Sequence, residues 1–280
     1  MKIAITGATG VVGRNIVPRL LARGHEVRAI VRRAGAAPRF AAIGAETAIA
    51  DIFDADALAA ALDGCDAAAN LASVVPRPGT PSGWDENTKV RVDGTRSYVA
   101  AAKAAGVRRT VHQSIAMINK SDDGAWVDET SAYHATPHTN SAIELENIAQ
   151  ESDLDWRIIR GALFYGPGTG RDEFWRSEAH AGRLQVQGDG TDYLSLIHIS
   201  DMASAVVAVL EASDERETYM ACDDEPVTYN NLFDYICRLE ECDGPQPGGP
   251  NILPSFRARN NKLRKLGWTP HFPTFRCGIV

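Results

Sequence analysis

The chain has 280 residues, of which 44% are hydrophobic and 23% charged, and its formal net charge is −7. This length suits one α/β domain with a smaller subdomain better than two independent cores. The acidic balance disfavours nucleic acid and anionic membranes as partners, because either requires a concentrated basic surface. The five cysteines include no Cys-x-x-Cys pair, which favours reduced thiols. The first predicted strand begins at Lys2 and no apolar run approaches the ~18 residues of a membrane span, so a cytoplasmic protein is expected.

Short apolar runs alternate with helical patterns up to about residue 160, which predicts βαβ units and a parallel sheet. The predicted strands are residues 2–6, 26–31, 46–50, 66–71, 109–114 and 156–160. The predicted helices are residues 12–23, 57–62, 86–105 and 141–151. Residues 76–84 and most of 119–137 are predicted to be loops.

The regular alternation ends near Gly166. The chain becomes rich in loop sequences (YGPGTGRDEF, QGDGTDY, DGPQPGGPN), with predicted short helices at 202–211 and 231–240. Ser200 or Asp201 is the expected cap of the first of these helices. We therefore predict a doubly wound parallel sheet in a domain of residues 1–165. Residues 166–280 form a smaller, interleaved substrate-binding cap, from which residues 217–221 return to the sheet.

A glycine-punctuated turn joins the first predicted strand to the first helix. Its G-x-x-G-x-x-G spacing permits a tight turn, close backbone approach to a pyrophosphate, and close helix–strand packing. The helix N-terminus adds partial positive charge for the phosphates. This context predicts a Rossmann-type NAD(P)-binding site, with these candidate residues: Gly7, Thr9, Gly10, Val11, Val12, Gly13, Arg32, Arg33, Asp51, Ile52, Leu71 and Ala72.

The end of the second strand bears on the choice of cofactor. An NAD site usually has an acidic residue there for the ribose hydroxyl, whereas this chain has Arg32 and Arg33. Guanidinium groups suit a 2′-phosphate, so NADP(H) is the preferred cofactor and NAD(H) the alternative. The two arginines could instead be a solvated strand end. Asp51 is placed either to meet the adenine amino group or to begin a turn.

Seven segments resemble the motifs of a known family. They occur in the same order as in that family and extend over nearly the whole chain. They are TGATGVVG (6–13), ADIFD (50–54), RVDGT (91–95), GVRRTVHQSIAM (106–117), LFYGPG (163–168), IHISDMASA (197–205) and NNKLRKLGWTPHFPTF (260–275). The chain thereby resembles the extended or atypical short-chain dehydrogenase/reductase superfamily, near the nucleotide-sugar epimerases and dehydratases. Two departures are Arg91 in place of a usual Asn and Gly161 in place of a usual Pro. The resemblance also implies a homodimer through the helices at 86–105 and 141–151.

The resemblance fails at the catalytic pair. The family uses Tyr-x-x-x-Lys, in which the Lys lowers the pKa of the Tyr and holds the cofactor ribose. Alignment on Pro137 and Glu146 puts His138 at the Tyr position and Ala142 at the Lys position. A histidine can itself transfer a proton, although His138 could equally be a helix-start residue without a role. The candidate catalytic residues are His138, Ser114 and, if its loop folds inward, Tyr133. If Ser114 is the first of the family's Ser-Ser pair, Ile115 takes the catalytic position, and a one-residue shift restores Ser114 to that role.

In this family the substrate lies between the sheet edge and the cap. Arginines there suit a diphosphate or carboxylate, and aromatic rings suit a sugar or a flat ligand, although each could also pack between cap and core. The candidates are Val75, Arg77, Trp84, Phe164, Arg171, Trp175, Tyr193 and Arg257. The seven histidines are dispersed, so no metal site is predicted.

Three functions remain open at this stage. The first is an NADP(H)-dependent oxidoreductase or epimerase-like enzyme that acts on a small polar carbonyl or alcohol substrate, a sugar nucleotide among the options. The second is a catalytically silent NADP(H) sensor or scaffold, and the third a non-redox lyase or isomerase. The retained YGPG turn and the arginine and aromatic candidates favour an enzyme.

Overall fold

A parallel sheet runs through the centre of the protein. The computed structural model describes residues 1–76, 83–213 and 216–280, and in that part of the chain the sheet has seven strands. They are β1 (Lys2–Thr6), β2 (Glu26–Val31), β3 (Glu46–Ile49), β4 (Ala67–Asn70), β5 (Arg109–Ile115), β7 (Asp155–Gly161) and β12 (Glu217–Ala221). Short paired strands are β6 (Trp126–Val127), β8 (Leu163–Tyr165), β9 (Gln185–Gln187), β10 (Tyr193–Leu194), β11 (Leu196–His198), β13 (Val227–Thr228), β14 (Gln246–Gly249) and β15 (Arg257–Ala258).

Helices flank this sheet and build the segment that follows it. They are α1 (Gly13–Ala22), α2 (Ala37–Ala41), α3 (Ala55–Leu62), α4 (Trp84–Ala104), α5 (Asn140–Gln150), α6 (Arg171–His180), α7 (Ile199–Glu211), α8 (Tyr229–Leu239), α9 (Asn261–Lys265) and α10 (Phe275–Gly278). Two short 3-10 helices cover Ala34–Ala36 and Ala116–Ile118. No helix in the described ranges combines the length and apolar character needed to cross a membrane.

The strand order is β12-β7-β5-β4-β1-β2-β3, and every neighbouring pair is parallel. This confirms the predicted doubly wound α/β fold. The order reverses between β1 and β4, where Thr6 is paired with Asn70. In such sheets a ligand crevice opens at the carboxyl ends of the strands beside the reversal.

The two faces of the sheet are buried in separate apolar clusters. Ile3 and Ile5 of β1 face the cluster that contains α1 and α7, while Ala4 faces the cluster that contains Leu58 and Tyr98. Because successive side chains of a strand point to opposite faces, both faces of a central strand are apolar. The continuous apolar runs of the sequence have this origin.

The predicted strands of the sheet are confirmed to within one residue at each end, but two predictions for the later part are wrong. RDEF is not loop: α6 begins at Arg171, after Gly170 with a φ of 73°, and Asp172 and Glu173 lie in its first turn, where carboxylates stabilise a helix. The cap of α7 is neither Ser200 nor Asp201. The ring of His198 accepts the backbone N–H of Ser200 at 3.2 Å, and the Asp201 carboxylate accepts the backbone N–H groups of His271 and Phe272.

Candidate functional site

The turn between β1 and α1 is a cradle without room for side chains. Gly7 has a φ of 76°, and a Cβ added to it would lie 2.7 Å from the carbonyl carbon of Leu71. A Cβ on Gly13 would lie 2.3 Å from the carbonyl oxygen of Gly7. The backbone N–H of Gly10 donates to that same oxygen at 2.9 Å. Glycine is therefore required by both the turn and the packing of α1 on β1.

The first turn of α1 is open to an anion. Val12 precedes the helix and provides no side-chain cap, so its first backbone N–H groups are not occupied by a side chain. Thr9 and Gly10 are exposed, whereas Val11 is half-buried and Val12 buried. Arg14 Nη2 donates to the carbonyl oxygen of Gly168 at 2.8 Å, which joins this turn to the YGPG turn. A pyrophosphate group fits this combination of exposed backbone donors and partial positive charge.

Two arginines follow β2 beside the glycine turn. Thr6 of β1 is paired with Ile30 of β2, so Arg32 and Arg33 leave the sheet at the same edge as Gly7. Both are exposed, and neither forms an ion pair within the described part of the chain. Asp51 is exposed after β3, and its Oδ1 accepts the backbone N–H of Phe53 at 3.1 Å. This contact belongs to a turn, the second of the two roles considered for Asp51.

Ile52, Leu71 and Ala72 are the apolar candidates that follow β3 and β4. Ile52 is buried, and a Cβ at Gly94 of α4 would lie 2.9 Å from its Cγ1. Leu71 and Ala72 follow β4 and lie directly against Gly7. The glycines, the uncapped helix and these apolar residues thus fit a dinucleotide, whose reduced nicotinamide supplies a hydride when it is bound.

His138 lies beside Trp84 at the carboxyl edge of the sheet. Helix α5 begins at Asn140, two residues after His138. The imidazole is half-buried, and its centroid is 4.8 Å from the indole of Trp84 at the start of α4. The structure therefore brings together one residue predicted as catalytic and one predicted to contact substrate. Ala142, at the position of the family's lysine, is fully buried.

Ser114 has a buried hydroxyl without a partner. It lies near the carboxyl end of β5, on the same face as His112, whose ring contacts Tyr98 of α4 at 5.4 Å. The Ser114 side chain therefore faces the α4 side of the sheet. Its Oγ has no hydrogen-bond partner among the described residues, and a buried unpaired hydroxyl is costly unless a ligand or water meets it.

Tyr133 is 41% exposed, and its hydroxyl reaches a buried ion pair. Its hydroxyl donates to Glu146 Oε2 at 2.9 Å, and Arg160 binds the same carboxylate with Nη2 at 2.8 Å and Nε at 3.0 Å. Glu146 and Arg160 are almost wholly buried. The pKa of the Tyr133 hydroxyl is raised, chiefly by burial and secondly by the charge of Glu146. These contacts make Tyr133 a weaker acid than an ordinary tyrosine.

Arg91 and Asn87 are buried polar residues of α4 that the sequence did not identify as site residues. They are one turn apart on that helix. Asn87 Oδ1 accepts the backbone N–H of Val74 at 3.1 Å, while its Nδ2 has no partner in the described residues. Arg91 Nη1 donates to Ser141 Oγ at 3.3 Å. The only signal in the sequence was Arg91 in place of the family's Asn.

The substrate candidates form two further pairs. The Arg257 guanidinium lies 4.9 Å from the ring of Tyr193 and 4.2 Å from that of Trp126, a residue absent from the predicted set. Arg171 lies 5.7 Å from the ring of Trp175, which is itself buried against Phe233. Phe164 packs over Gly161, where a Cβ would lie 2.6 Å from its ring. Val75 is exposed, and Arg77 lies outside the described residues.

Comparison with known proteins agrees with this geometry. A family described as NAD(P)H-binding matches residues 7–213. A 3-diazoavenalumate denitrifying reductase of a Streptomyces species is 30% identical over 100% of this chain and 99% of its own length. A 3 beta-hydroxysteroid dehydrogenase/Delta 5-->4-isomerase of Mycobacterium tuberculosis is 36% identical over 87% of this chain and 70% of its own.

Solved structures share the whole fold. A UDP-glucose 4-epimerase of Thermus thermophilus in complex with NAD has a TM-score of 0.82 at 21% identity, covering 100% of this chain and 96% of that one. A dTDP-glucose 4,6-dehydratase of Streptomyces venezuelae with NAD bound has a TM-score of 0.85 at 24% identity, covering 100% and 94%. These matches define a class of NAD(P)-binding α/β proteins. The chain belongs to the NAD(P)H-binding family.

Proposed function

We propose that this protein is an NADP(H)-dependent reductase that transfers a hydride to a small polar substrate above the carboxyl edge of the sheet. The observation that carries the proposal is the cradle of Gly7 and Gly13, in which neither glycine has room for a Cβ. Arg32 and Arg33, exposed and without ion pairs in the described residues, support NADP(H) over NAD(H). The reductase and dehydrogenase relatives support reduction over a non-redox reaction.

His138 is the best-supported proton donor. Its ring is half-buried against Trp84, and an imidazole can both accept and donate a proton. Tyr133 is less suitable because its hydroxyl already donates to Glu146 and its pKa is raised. Ser114 is a hydrogen-bond donor without a partner in the described residues, which suits the developing negative charge on a carbonyl oxygen.

The test uses NADPH carrying deuterium at C4 and follows the label into product by mass spectrometry. Carbonyl compounds and a sugar nucleotide are offered as substrates. Label in the product supports a reductase, and the His138→Gln variant should then slow carbonyl reduction by about 10²–10⁴-fold. His180→Gln is the control, because His180 is an exposed residue of α6 that pairs with Glu240. NADPH binding without transfer to any substrate would contradict the proposal and favour an NADP(H) sensor.

A second substrate class is favoured by the altered catalytic pair. The 30% identical relative is a denitrifying reductase of a diazo compound. Hydride addition to the ring carbon of an aryl diazonium ion breaks the C–N bond, and dinitrogen leaves with the bonding electrons. No proton is delivered, so a site with His138 and Ala142 in place of Tyr and Lys could support this reaction. His138→Gln should then leave diazonium reduction within about 3-fold of the unmodified protein, because the step lacks general acid catalysis.

A further inference from the structure

We propose that Arg91, on α4, supplies the positive charge beside the bound cofactor. It does so in place of the lysine that the superfamily carries at the position of residue 142. In this role its guanidinium binds the ribose–phosphate part of the cofactor. The inference rests on the proposed function and deepens it, because it assigns a cofactor-binding role to a residue outside the glycine turn.

The first observation is the burial of Arg91 without a counter-ion. The side chain is 5% exposed, and no carboxylate lies within ion-pair distance of it in residues 1–76, 83–213 and 216–280. Its one hydrogen-bond partner there is the hydroxyl of Ser141. Burial lowers the pKa of Arg91 to about 10, so the group stays charged at neutral pH. An uncompensated buried charge is destabilising, which indicates that a ligand completes its environment.

The second observation is the position of the charge. Ser141 lies in the first turn of α5 and immediately precedes Ala142, whose side chain ends at Cβ. The guanidinium therefore lies beside the helix position from which a lysine ammonium would extend. The family's cation lies on α5 and that of this chain on α4, but both lie at the junction of the two helices.

The third observation is that other polar groups near this junction also lack partners. Asn87 Nδ2 and Ser114 Oγ are buried and have no hydrogen-bond partner in the described residues. Asn87 lies one turn from Arg91 and binds the backbone just after β4, and Ser114 lies at the end of β5. Two donors and one cation at the carboxyl edge suit a ligand rich in oxygen acceptors. The hydroxyls and phosphates of a nucleotide have this character.

The experiment measures the dissociation constant of NADPH by fluorescence titration and the melting temperature with and without NADPH. Arg91→Met removes the charge but keeps an unbranched side chain, and Arg91→Lys keeps the charge. Arg91→Asn combined with Ala142→Lys moves the charge to α5. Lys89→Met is the matched control, since it removes an exposed cation two residues away on the same helix.

We expect Arg91→Met to weaken NADPH binding by at least about 10-fold, the size of one lost charge-assisted hydrogen bond. We also expect it to raise the melting temperature of the free protein, because a buried unpaired charge is removed. Arg91→Lys and the Arg91→Asn/Ala142→Lys variant should retain most of the affinity, and Lys89→Met should change neither quantity. A purely structural Arg91 gives the opposite pattern, in which Arg91→Met lowers the melting temperature of the free protein and leaves NADPH affinity unchanged.

The two proposals fail in distinguishable ways. If the unmodified protein binds NADPH and Arg91→Met binds it equally well, the inference about Arg91 is overturned and the proposed function stands. If the unmodified protein binds neither NADPH nor NADH, both are overturned. If the Arg91→Asn/Ala142→Lys variant binds no better than Arg91→Met, the charge is not exchangeable between the two helices and the inference is likewise overturned.

Discussion

The glycine turn and the junction of α4, α5 and β5 lie at the same edge of the sheet. The turn is built from backbone atoms, and the junction from side chains. The turn consists of backbone atoms packed against backbone atoms, with a Cβ at Gly13 only 2.3 Å from the carbonyl oxygen of Gly7. The region between α4, α5 and β5 contains side chains, among them Arg91, Asn87 and Ser114, whose polar atoms are incompletely paired within the described residues. The first region takes its shape from backbone packing, and the start of its helix has no side-chain cap. The second has polar groups that a ligand would satisfy.

On the α4 side of the sheet, the buried side chains of His112 and Arg91 respond differently to burial. Burial lowers the pKa of His112 to about 4, so this imidazole is neutral at pH 7. Burial lowers the pKa of Arg91 only to about 10, so this guanidinium remains charged. A histidine can avoid the cost of burial by losing its proton, whereas an arginine at this depth requires an acceptor. Burial thus neutralises His112, whereas Arg91 keeps a charge that has one hydroxyl partner in the described residues.

The largest expected effect comes from adding a side chain to the glycine turn at Gly13. Gly13→Ala places a Cβ against backbone that cannot rotate away, so the strand–helix junction has to shift. We expect NADPH binding to weaken by at least about 100-fold and the free energy of unfolding to fall by ~1–3 kcal/mol. Fluorescence titration and urea denaturation measure the two quantities. Gly35→Ala is the control, because nothing lies within 4 Å of a Cβ there. Equal affinities for the two variants would show that the turn does not hold the cofactor.

A smaller effect is expected from the pH dependence of stability. His112 titrates at about 4 in the folded protein and near 6.5 when unfolded, so the unfolded chain binds more protons between these values. The contribution of His112 to the free energy of unfolding is therefore fully present above about pH 6.5 and is lost as the pH falls towards 4. We expect this group alone to cost about 2 kcal/mol between pH 7 and pH 5.

His112→Gln should remove this contribution, because glutamine does not titrate. The comparison is made by urea denaturation at pH 7 and pH 5 for the unmodified protein, His112→Gln and the control His271→Gln, which changes an exposed histidine. An identical pH dependence in all three proteins would mean that His112 is not held neutral by burial. Such a result would also weaken the contrast between His112 and Arg91.

The same difference between backbone and side chains explains how far the amino-acid pattern could predict the structure. The sheet strands and the glycine turn follow from apolar periodicity and glycine spacing, which constrain the backbone directly. The junction depends on which side chains meet across α4, α5 and β5. No periodicity or spacing indicates that Arg91 reaches Ser141 or that Tyr133 joins Glu146 and Arg160. Helix α6 is not evident from the sequence, because the glycine-rich segment that precedes it resembles a loop.

The smallest expected effect tests whether the side chains beside the turn choose the cofactor. Arg32 and Arg33 are exposed, so water and salt screen their attraction for a 2′-phosphate. We expect the Arg32→Ala/Arg33→Ala double variant to bind NADPH about 10-fold more weakly and NADH unchanged, with a difference that shrinks as salt is added. Arg39→Ala, which removes a nearby exposed cation on α2, is the control. If the double variant loses affinity for both cofactors equally, the arginines support the strand end and do not read the phosphate. Cofactor preference would then have to come from the junction of α4, α5 and β5, since the backbone of the turn meets a pyrophosphate that both cofactors share.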